Sequence, residues 1–267
     1  MTDGILPLSG ASFGANPSFV DLLRDARPDA LAHLRQTVTA EAVAGVPHGT
    51  TVLGLIYADG VLVAGDRRAT AGYTIADDSM RKVFAADDYS AIAIAGAAGM
   101  AVEMVRLFQL ELEHYEKLTG DRLSLEGKAN RLAQLIRQNF PLAMQGLVVV
   151  PLFGGFDHRR EAGRLFYYDA TGGRWEEDDY QATGSGSQPA KNSLKKRWRA
   201  DLTRDEAVKT AVEALLDASE DDVATGGPSV YRRIFPVVLA VTATGADEVP
   251  ESEVESAVNA VIEERAA

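Results

Sequence analysis

The sequence predicts an α+β fold of four layers, in which two antiparallel β-sheets stack face to face and a pair of helices covers each outer side. Two observations carry this prediction. Apolar runs of strand length occur in blocks, and between the blocks lie pairs of segments with an apolar residue every three to four positions. The order is strands, helix pair, strands, helix pair, strand, helix, which differs from regular strand–helix winding. With no linker after Thr50, the 267-residue chain should form one core domain after that point.

Residues 1–49 differ from the rest of the chain. They combine scattered glycines and prolines with only two short apolar patches, at 19–23 and 30–34. Such a segment is poorly able to form a core alone. It is either a flexible tail or a prosegment that is removed.

The first block consists of short strands. Asp59-Gly60 separates two apolar runs and is a typical hairpin turn. The strands of this block are predicted at Val52–Tyr57, Val61–Gly65, Tyr73–Ala76, Lys82–Ala86 and Ser90–Ala95.

Two helices follow, each with one apolar face, and Gly120 is a plausible end for the first. The first face consists of Ala101, Met104, Val105, Phe108, Leu112 and Tyr115, and the second of Leu125, Ala129, Leu132, Ile136 and Phe140.

The second half repeats this arrangement. Strands are predicted at Leu147–Gly154 and Arg164–Ala170, helices at Gln188–Ala200 and Asp205–Ala218, a long strand at Arg232–Ala243 and a terminal helix at Glu251–Glu264.

Composition excludes several classes of function. The net charge of −12 argues against a nucleic-acid partner, which would favour a basic face. There are no cysteines, and the four histidines lie far apart without metal-ligand spacing. No run reaches the length of a membrane helix, and the N-terminus does not resemble a signal peptide. We therefore expect a cytoplasmic protein without a metal site.

The segment His48-Gly49-Thr50-Thr51 precedes the first strand. If the Gly49–Thr50 bond were cut, Thr50 would carry a nucleophilic hydroxyl and a basic α-amine on one residue. An adjacent amine is a recognised way to activate a threonine hydroxyl. The simpler alternative is that glycine and threonine only open a strand.

A threonine nucleophile also needs a group that tunes the amine and an oxyanion hole. The chain after the junction supplies Asp66–Thr70 at the end of the second strand, Arg81–Val83 on a later strand, and the small-residue run Ala95–Gly99 where a strand enters a helix. Taken alone, Asp66 and Lys82 favour a surface ion pair, and Gly96 is compatible with the end of a strand. Gly184-Ser185-Gly186-Ser187 could pass for a phosphate loop, but the following Pro189 and the absence of a lysine weaken that interpretation.

Together, these pieces resemble the catalytic β subunits of the proteasome, most closely the actinobacterial type. The similarity covers essentially all of residues 50–267. The matching segments are Thr50-Thr51, Gly65–Arg68, Arg81–Val83, Ile94–Gly96, Glu111–Lys117, Met144–Gly146, Gly184–Ser187 and Asp222–Pro228. The resemblance implies the N-terminal-nucleophile hydrolase fold, an αββα sandwich, with residues 1–49 as a propeptide.

The resemblance also implies the role of each site residue. Thr50 would attack the scissile carbonyl, Lys82 would tune the freed amine, and Asp66 would orient Lys82. The N–H of Gly96 would stabilise the oxyanion. Ser185, Asp222 and Thr225 match the supporting polar cluster, although many members have serine where this chain has Thr225.

A pocket for the side chain before the cut follows from the same comparison. Its lining would be Ala69, Met80, Phe84, Ile94, Ala98 and Val102. Because these residues are apolar, the pocket should accept hydrophobic or aromatic side chains, although any one of them could simply be a core residue. Thr70, Gly96 and Ala98 would pair with the substrate backbone as an added strand.

The implied activity is that of a threonine endopeptidase made as an inactive precursor, which cleaves itself between Gly49 and Thr50. No cofactor is implied. The implied partners are sister β subunits in seven-membered rings, outer rings of α subunits, and a ring-shaped ATPase that delivers tagged proteins. The alternatives are the simpler bacterial threonine protease with two six-membered rings, and a non-catalytic ring subunit.

Overall fold

The computed structural model describes residues 49–72 and 74–266. The expected propeptide, apart from Gly49, lies outside the described residues, and so does Tyr73 at the start of one predicted strand. The strands are β1 Thr51–Tyr57, β2 Gly60–Gly65, β3 Ala69–Ala71, β4 Thr74–Asp77, β5 Val83–Asp87, β6 Ser90–Gly96, β7 Val149–Asp157, β8 Ala162–Tyr168, β9 Arg174–Glu177, β10 Tyr180–Gly184, β11 Val237–Thr242 and β12 Gly245–Glu248. The helices are α1 Ala98–Thr119, α2 Leu125–Ala143, α3 Ser187–Arg197, α4 Arg204–Asp221 and α5 Glu251–Ala266.

Two five-stranded antiparallel sheets form the centre of the molecule. The first has the order β10-β1-β2-β11-β12 and the second the order β5-β6-β7-β8-β9. Their facing sides enclose one apolar cluster, which includes Val52, Val63, Leu152 and Leu165. The two sheets therefore stack face to face, as the sequence predicts.

Helices cover the two outer faces. Because side chains alternate along a strand, Val52 points between the sheets while Leu53 faces the other way, toward α3, α4 and α5. On the second sheet, Phe153 packs with Phe108 of α1 and Leu132 of α2. The four-layer αββα prediction is confirmed, and the terminal helix α5 joins the outer layer of the first sheet.

Local sequence explains most helix boundaries. Gly120 ends α1 in the left-handed conformation, with φ of 75°, as predicted. Thr203 opens α4 with a reciprocal capping box in which its side chain and that of Glu206 satisfy each other's backbone N–H. None of the described helices is long and apolar enough to cross a membrane.

Some predicted boundaries are wrong. The long strand expected at Arg232–Ala243 begins only at Val237, because Pro236 cannot donate a ladder hydrogen bond and Ser229–Ile234 forms a separate bridge.

Two residues expected on buried helix faces, Tyr115 and Phe140, are 40% and 38% exposed. Each lies beyond the last buried residue of its helix, so the apolar spacing continues past the part of the helix that packs against the sheet.

The register of the first sheet brings distant residues to one end. Val52 pairs with Gly65, and Thr51 pairs with Gly184. The start of β1 therefore lies beside the end of β2 and the end of β10. As a result, Thr50, Asp66 and Ser185 lie next to one another although up to 135 positions separate them.

Candidate active site

The Gly49–Thr50 peptide bond lies at the start of β1. Thr50 is only 4% exposed, and its Oγ1 donates a hydrogen bond of 2.6 Å to the carbonyl oxygen of Gly49. The Ser185 N–H donates to the carbonyl oxygen of Thr50 at 2.9 Å. The predicted nucleophile is thus held against the carbonyl that it would have to attack in self-cleavage.

Glycine is required at position 49. Its φ of +92° is rarely adopted by other residues. A Cβ atom there would lie 2.5 Å from Oγ1 of Thr70 and 2.9 Å from Cβ of Ala224. The chain before the predicted cleavage site therefore passes through a space that only glycine fits.

Asp66 and Lys82 form a fully buried ion pair. The side chains of both residues are 0% exposed, and Nζ of Lys82 lies 2.6 Å from Oδ1 of Asp66. Asp66 also accepts hydrogen bonds from the backbone N–H groups of Thr51, Arg68 and Gly226, at 2.8, 2.9 and 2.8 Å. The alternative of a surface ion pair is therefore wrong, because neither side chain has access to solvent. The three backbone donors help to offset the cost of burying the two charges.

The ammonium group of Lys82 reaches the predicted scissile bond. It donates to the carbonyl oxygen of Gly49 at 3.2 Å and also to that of Arg68. Burial lowers the pKa of Lys82, and the charge and hydrogen bond of Asp66 oppose this shift. Lys82 therefore combines a positive charge at the junction with a weakened hold on its proton.

Ser185, Asp222 and Thr225 form a second polar cluster. Both hydroxyls donate to Oδ2 of Asp222, each at 2.6 Å. Burial raises the pKa of Asp222, but the hydrogen bonds from Ser185, Thr225 and the Ala224 N–H, with the charge of Lys82, hold it below its usual range. The carboxylate is thus kept ionised, and the hydroxyl of Thr225 makes a direct contact with it.

Gly96 lies at the end of β6, where it also must be glycine. Its φ is +119°, and a Cβ atom would lie 2.0 Å from the carbonyl oxygen of Val148. The N–H of Ile94, two residues earlier, donates to the carbonyl oxygen of Lys82. Because N–H groups two residues apart leave a strand from the same edge, the N–H of Gly96 leaves β6 on the same edge as that of Ile94.

The predicted pocket residues are only partly brought together. Ile94 is buried in the cluster beneath α1, and Phe84 and Val102 pack against it. Ala69 and Thr70 lie on β3, Met80 precedes β5, and Ala98 begins α1. Ala69, Met80 and Ala98 are not members of that cluster. One part of the predicted lining is therefore contiguous, and the rest comes from neighbouring segments.

Two residues of the site were not predicted from the sequence. The guanidinium of Arg68 donates to the carbonyl oxygens of Val223 and Thr225 at 3.1 and 3.4 Å. The hydroxyl of Thr51 lies 2.6 Å from that of Thr225. Both belong to matched segments, but no local pattern indicates that either meets the loop after α4. Within the described ranges, no group of histidine, aspartate or glutamate side chains is arranged to hold a metal ion.

Two comparisons with known proteins identify what this chain is similar to. The family model described as "Proteasome subunit" matches residues 46–231. A curated relative from Streptomyces griseus subsp. griseus, named "Proteasome subunit beta", is 52% identical over 262 residues, which cover 98% of this chain and 93% of the relative.

Proposed function

The chain belongs to the proteasome subunit family, and from this premise we propose that it is a threonine endopeptidase whose nucleophile is Thr50. As a proteasome β subunit it is a peptidase and a component of a multi-subunit proteasome core. The proposal adds the identity of the nucleophile, the self-cleavage that exposes it and the roles of the surrounding residues.

One observation carries the proposal. The carbonyl oxygen of Gly49 accepts hydrogen bonds from both Oγ1 of Thr50 and Nζ of Lys82, at 2.6 and 3.2 Å. A nucleophile and a buried cation therefore meet at the carbonyl of a single peptide bond. A strand that merely begins with glycine and threonine has no need for a buried lysine at that point.

Self-cleavage follows from this arrangement. Oγ1 of Thr50 attacks the carbonyl carbon of Gly49, and the cation of Lys82 stabilises the negative charge that develops on the oxygen. The carbon–nitrogen bond then breaks as the nitrogen of Thr50 takes the proton that Oγ1 gave up, which leaves an ester between Gly49 and Oγ1. Water hydrolyses the ester, releasing residues 1–49 as a propeptide with a new carboxylate and leaving Thr50 with a free α-amine.

The mature enzyme would use the same residues on substrates. The α-amine of Thr50 takes the hydroxyl proton, through a water molecule, as Oγ1 attacks the substrate carbonyl. An α-amine has an ordinary pKa of about 8, and the neighbouring charge of Lys82 shifts it downward, toward working pH. Asp66 orients Lys82, and the N–H of Gly96 receives the oxyanion. The tetrahedral intermediate then collapses to an ester as the amine product leaves with the proton held by the α-amine, and water hydrolyses the ester to free the enzyme.

Specificity and assembly belong to the proposal as well. The apolar pocket of Ala69, Met80, Phe84, Ile94, Ala98 and Val102 would hold a hydrophobic side chain before the cut. Thr70, Gly96 and Ala98 would pair with the substrate backbone. We propose seven-membered β rings stacked between outer α rings, with a ring-shaped ATPase supplying tagged proteins in the cytoplasm.

Intact mass after co-expression with an α subunit tests the central claim. We expect the native chain to begin at Thr50 and to hydrolyse peptides. Thr50→Ala lacks the nucleophile and should remain at full length and inactive. Thr50→Ser keeps a hydroxyl and should still be processed. Cleavage at the same bond in Thr50→Ala would rule out the mechanism.

A further inference from the structure

The hydroxyl of Thr51, next to the nucleophile, bonds to a loop that is distant in sequence. Its Oγ1 lies 2.6 Å from Oγ1 of Thr225 and accepts a 3.0 Å hydrogen bond from the N–H of Gly186. We propose that Thr51 is a positioning residue, which holds the cluster of Ser185, Asp222 and Thr225 in register with the strand that carries Thr50. This inference rests on the proposed function, which gives Thr51 no role.

The direction of these hydrogen bonds is fixed by counting protons. Asp222 is an ionised acceptor, so the single hydroxyl proton of Thr225 goes to its Oδ2 at 2.6 Å. Thr51 must then donate its own proton to Thr225, since the Thr225 proton is already used. Oγ1 of Thr51 in turn accepts a hydrogen bond from the N–H of Gly186. The result is one ordered chain from Gly186 through Thr51 and Thr225 to Asp222.

The backbone of Thr51 bonds to the other half of the site. Its N–H donates to Oδ1 of Asp66 at 2.8 Å, and its carbonyl oxygen accepts from the Asp66 N–H at 3.1 Å. Asp66 in turn pairs with Lys82. Thr51 thus connects the Asp66–Lys82 pair through its backbone with the Asp222 cluster through its side chain.

The contact between the hydroxyls of Thr51 and Thr225 is buried and tightly packed. Thr51 and Thr225 are both 0% exposed, so no water can replace a lost hydroxyl there without opening the site. A Cβ atom at Gly186 would lie 2.5 Å from Oγ1 of Thr51 and 2.6 Å from that of Thr225. The start of α3 is therefore pressed against both hydroxyls. Removing the hydroxyl of Thr51 would leave the Gly186 N–H buried without an acceptor and Thr225 without its donor.

Two substitutions separate positioning from packing. Thr51→Val keeps the branched shape but loses the hydroxyl, whereas Thr51→Ser keeps the hydroxyl but loses the buried methyl group. A small misplacement of catalytic groups costs rate more than substrate binding, and a shift of about 1 Å costs up to about 100-fold. For Thr51→Val we expect kcat to fall about tenfold or more while KM changes less than about twofold. Thr51→Ser should retain kcat within about threefold of the native chain.

Thr183→Val is the matched control. Thr183 is also buried and lies on β10, where it pairs with Val52, the neighbour of Thr51 on β1. Its hydroxyl hydrogen-bonds to none of the residues that the structure describes. Removing that hydroxyl therefore perturbs the same pair of strands without touching the ordered chain, and we expect its kcat and KM to be unchanged.

The experiment measures peptide hydrolysis by full-length chains co-assembled with the α subunit. Values of kcat are divided by the fraction of chains that begin at Thr50, measured by intact mass, so that slow processing is not counted as slow catalysis. Loss of kcat in Thr51→Val, with retention in Thr51→Ser and Thr183→Val, supports the proposal. Native kcat in Thr51→Val, or equal losses in the valine and serine variants, would overturn it.

These outcomes are distinct from failure of the proposed function. A fully active Thr51→Val chain would remove only the positioning role, since hydrolysis and processing at Thr50 would still stand. A native chain that is never cut at Gly49–Thr50 and hydrolyses nothing would overturn both. If Thr51→Val fails to assemble, the serine variant decides: its activity supports the role of the hydroxyl, and its inactivity in an assembled core contradicts it.

Discussion

The proposed chemistry depends on the backbone conformation of Gly49. Its φ of +92° and its close approach to Thr70 and Ala224 exclude a side chain. In this conformation its carbonyl oxygen lies within reach of both Thr50 and Lys82. The residue that the proposed self-cleavage would discard is therefore as constrained as those that it would keep.

Gly49→Ala should slow self-cleavage. The Cβ atom must displace Thr70 or rotate the peptide, and positive φ adds a cost of about 1–2 kcal/mol, so the carbonyl should leave its position beside Thr50. We expect processing to slow at least about tenfold, since 1.4 kcal/mol corresponds to that factor, as measured by intact mass over time. Gly72→Ala is the control, because Gly72 also has positive φ but meets nothing within 4 Å. Equal processing rates in the two variants would contradict the role given to Gly49.

Arg164 connects elements on the second sheet. It lies on β8, its side chain is 5% exposed, and it pairs with Glu126 of α2 at 2.7 Å, Asp157 of β7 at 2.9 Å and Glu176 of β9 at 2.6 Å. Hydrogen bonds from Arg174 and Arg164 lower the pKa of Glu126, and the bond from Arg164 lowers that of Glu176. One cation thus holds helix α2 and two neighbouring strands together.

Arg164→Met should destabilise the fold in a pH-dependent way. Removing one partner of a buried ionic network typically costs about 3 kcal/mol, whereas Arg199→Met, which breaks two exposed pairs with Asp201 and Glu206, should cost less than about 1 kcal/mol. Carboxyls with lowered pKa stabilise the fold at neutral pH and lose that effect as the pH falls through their folded values. Thermal unfolding should therefore show a large deficit for Arg164→Met near neutrality that shrinks toward about pH 3, below the ordinary carboxyl values. A deficit that is constant with pH would contradict this account.

At the scale of the whole molecule, the proposed substrate pocket draws on segments from four places in the chain. These are β3, the stretch from Met80 into β5, β6 and the start of α1. Phe84, Ile94 and Val102 already share one apolar cluster. The net charge of −12 adds a general disadvantage for acidic substrates.

Peptides that differ only in the residue before the cut test this pocket. Tyr or Leu there should give a higher kcat/KM than Arg or Asp by about tenfold or more, because a charged group would lose its water in an apolar pocket. The assembled core and a common leaving group keep the remaining contacts the same. Faster cleavage after Arg or Asp would refute the assignment of the pocket.

The sequence by itself determined the layers and their order. Apolar periodicity depends only on which faces are buried, so it predicted the two sheets, the helices and the end of α1 at Gly120. The motifs likewise identified Thr50, Asp66, Lys82 and Gly96 as candidates for one site. Short strands such as β3 and β10 were missed, because their few residues show no clear apolar alternation.

Only the tertiary structure decided which of these residues touch. The hydroxyls of Thr51 and Thr225 meet although 174 positions separate them, and no local pattern records that contact. Burial turned Asp66 and Lys82 from a possible surface pair into a buried ion pair beside the carbonyl group of Gly49, where cleavage is proposed. The physical reason is that propensity and periodicity are local properties, whereas the site is formed by strand register and loop packing between distant segments.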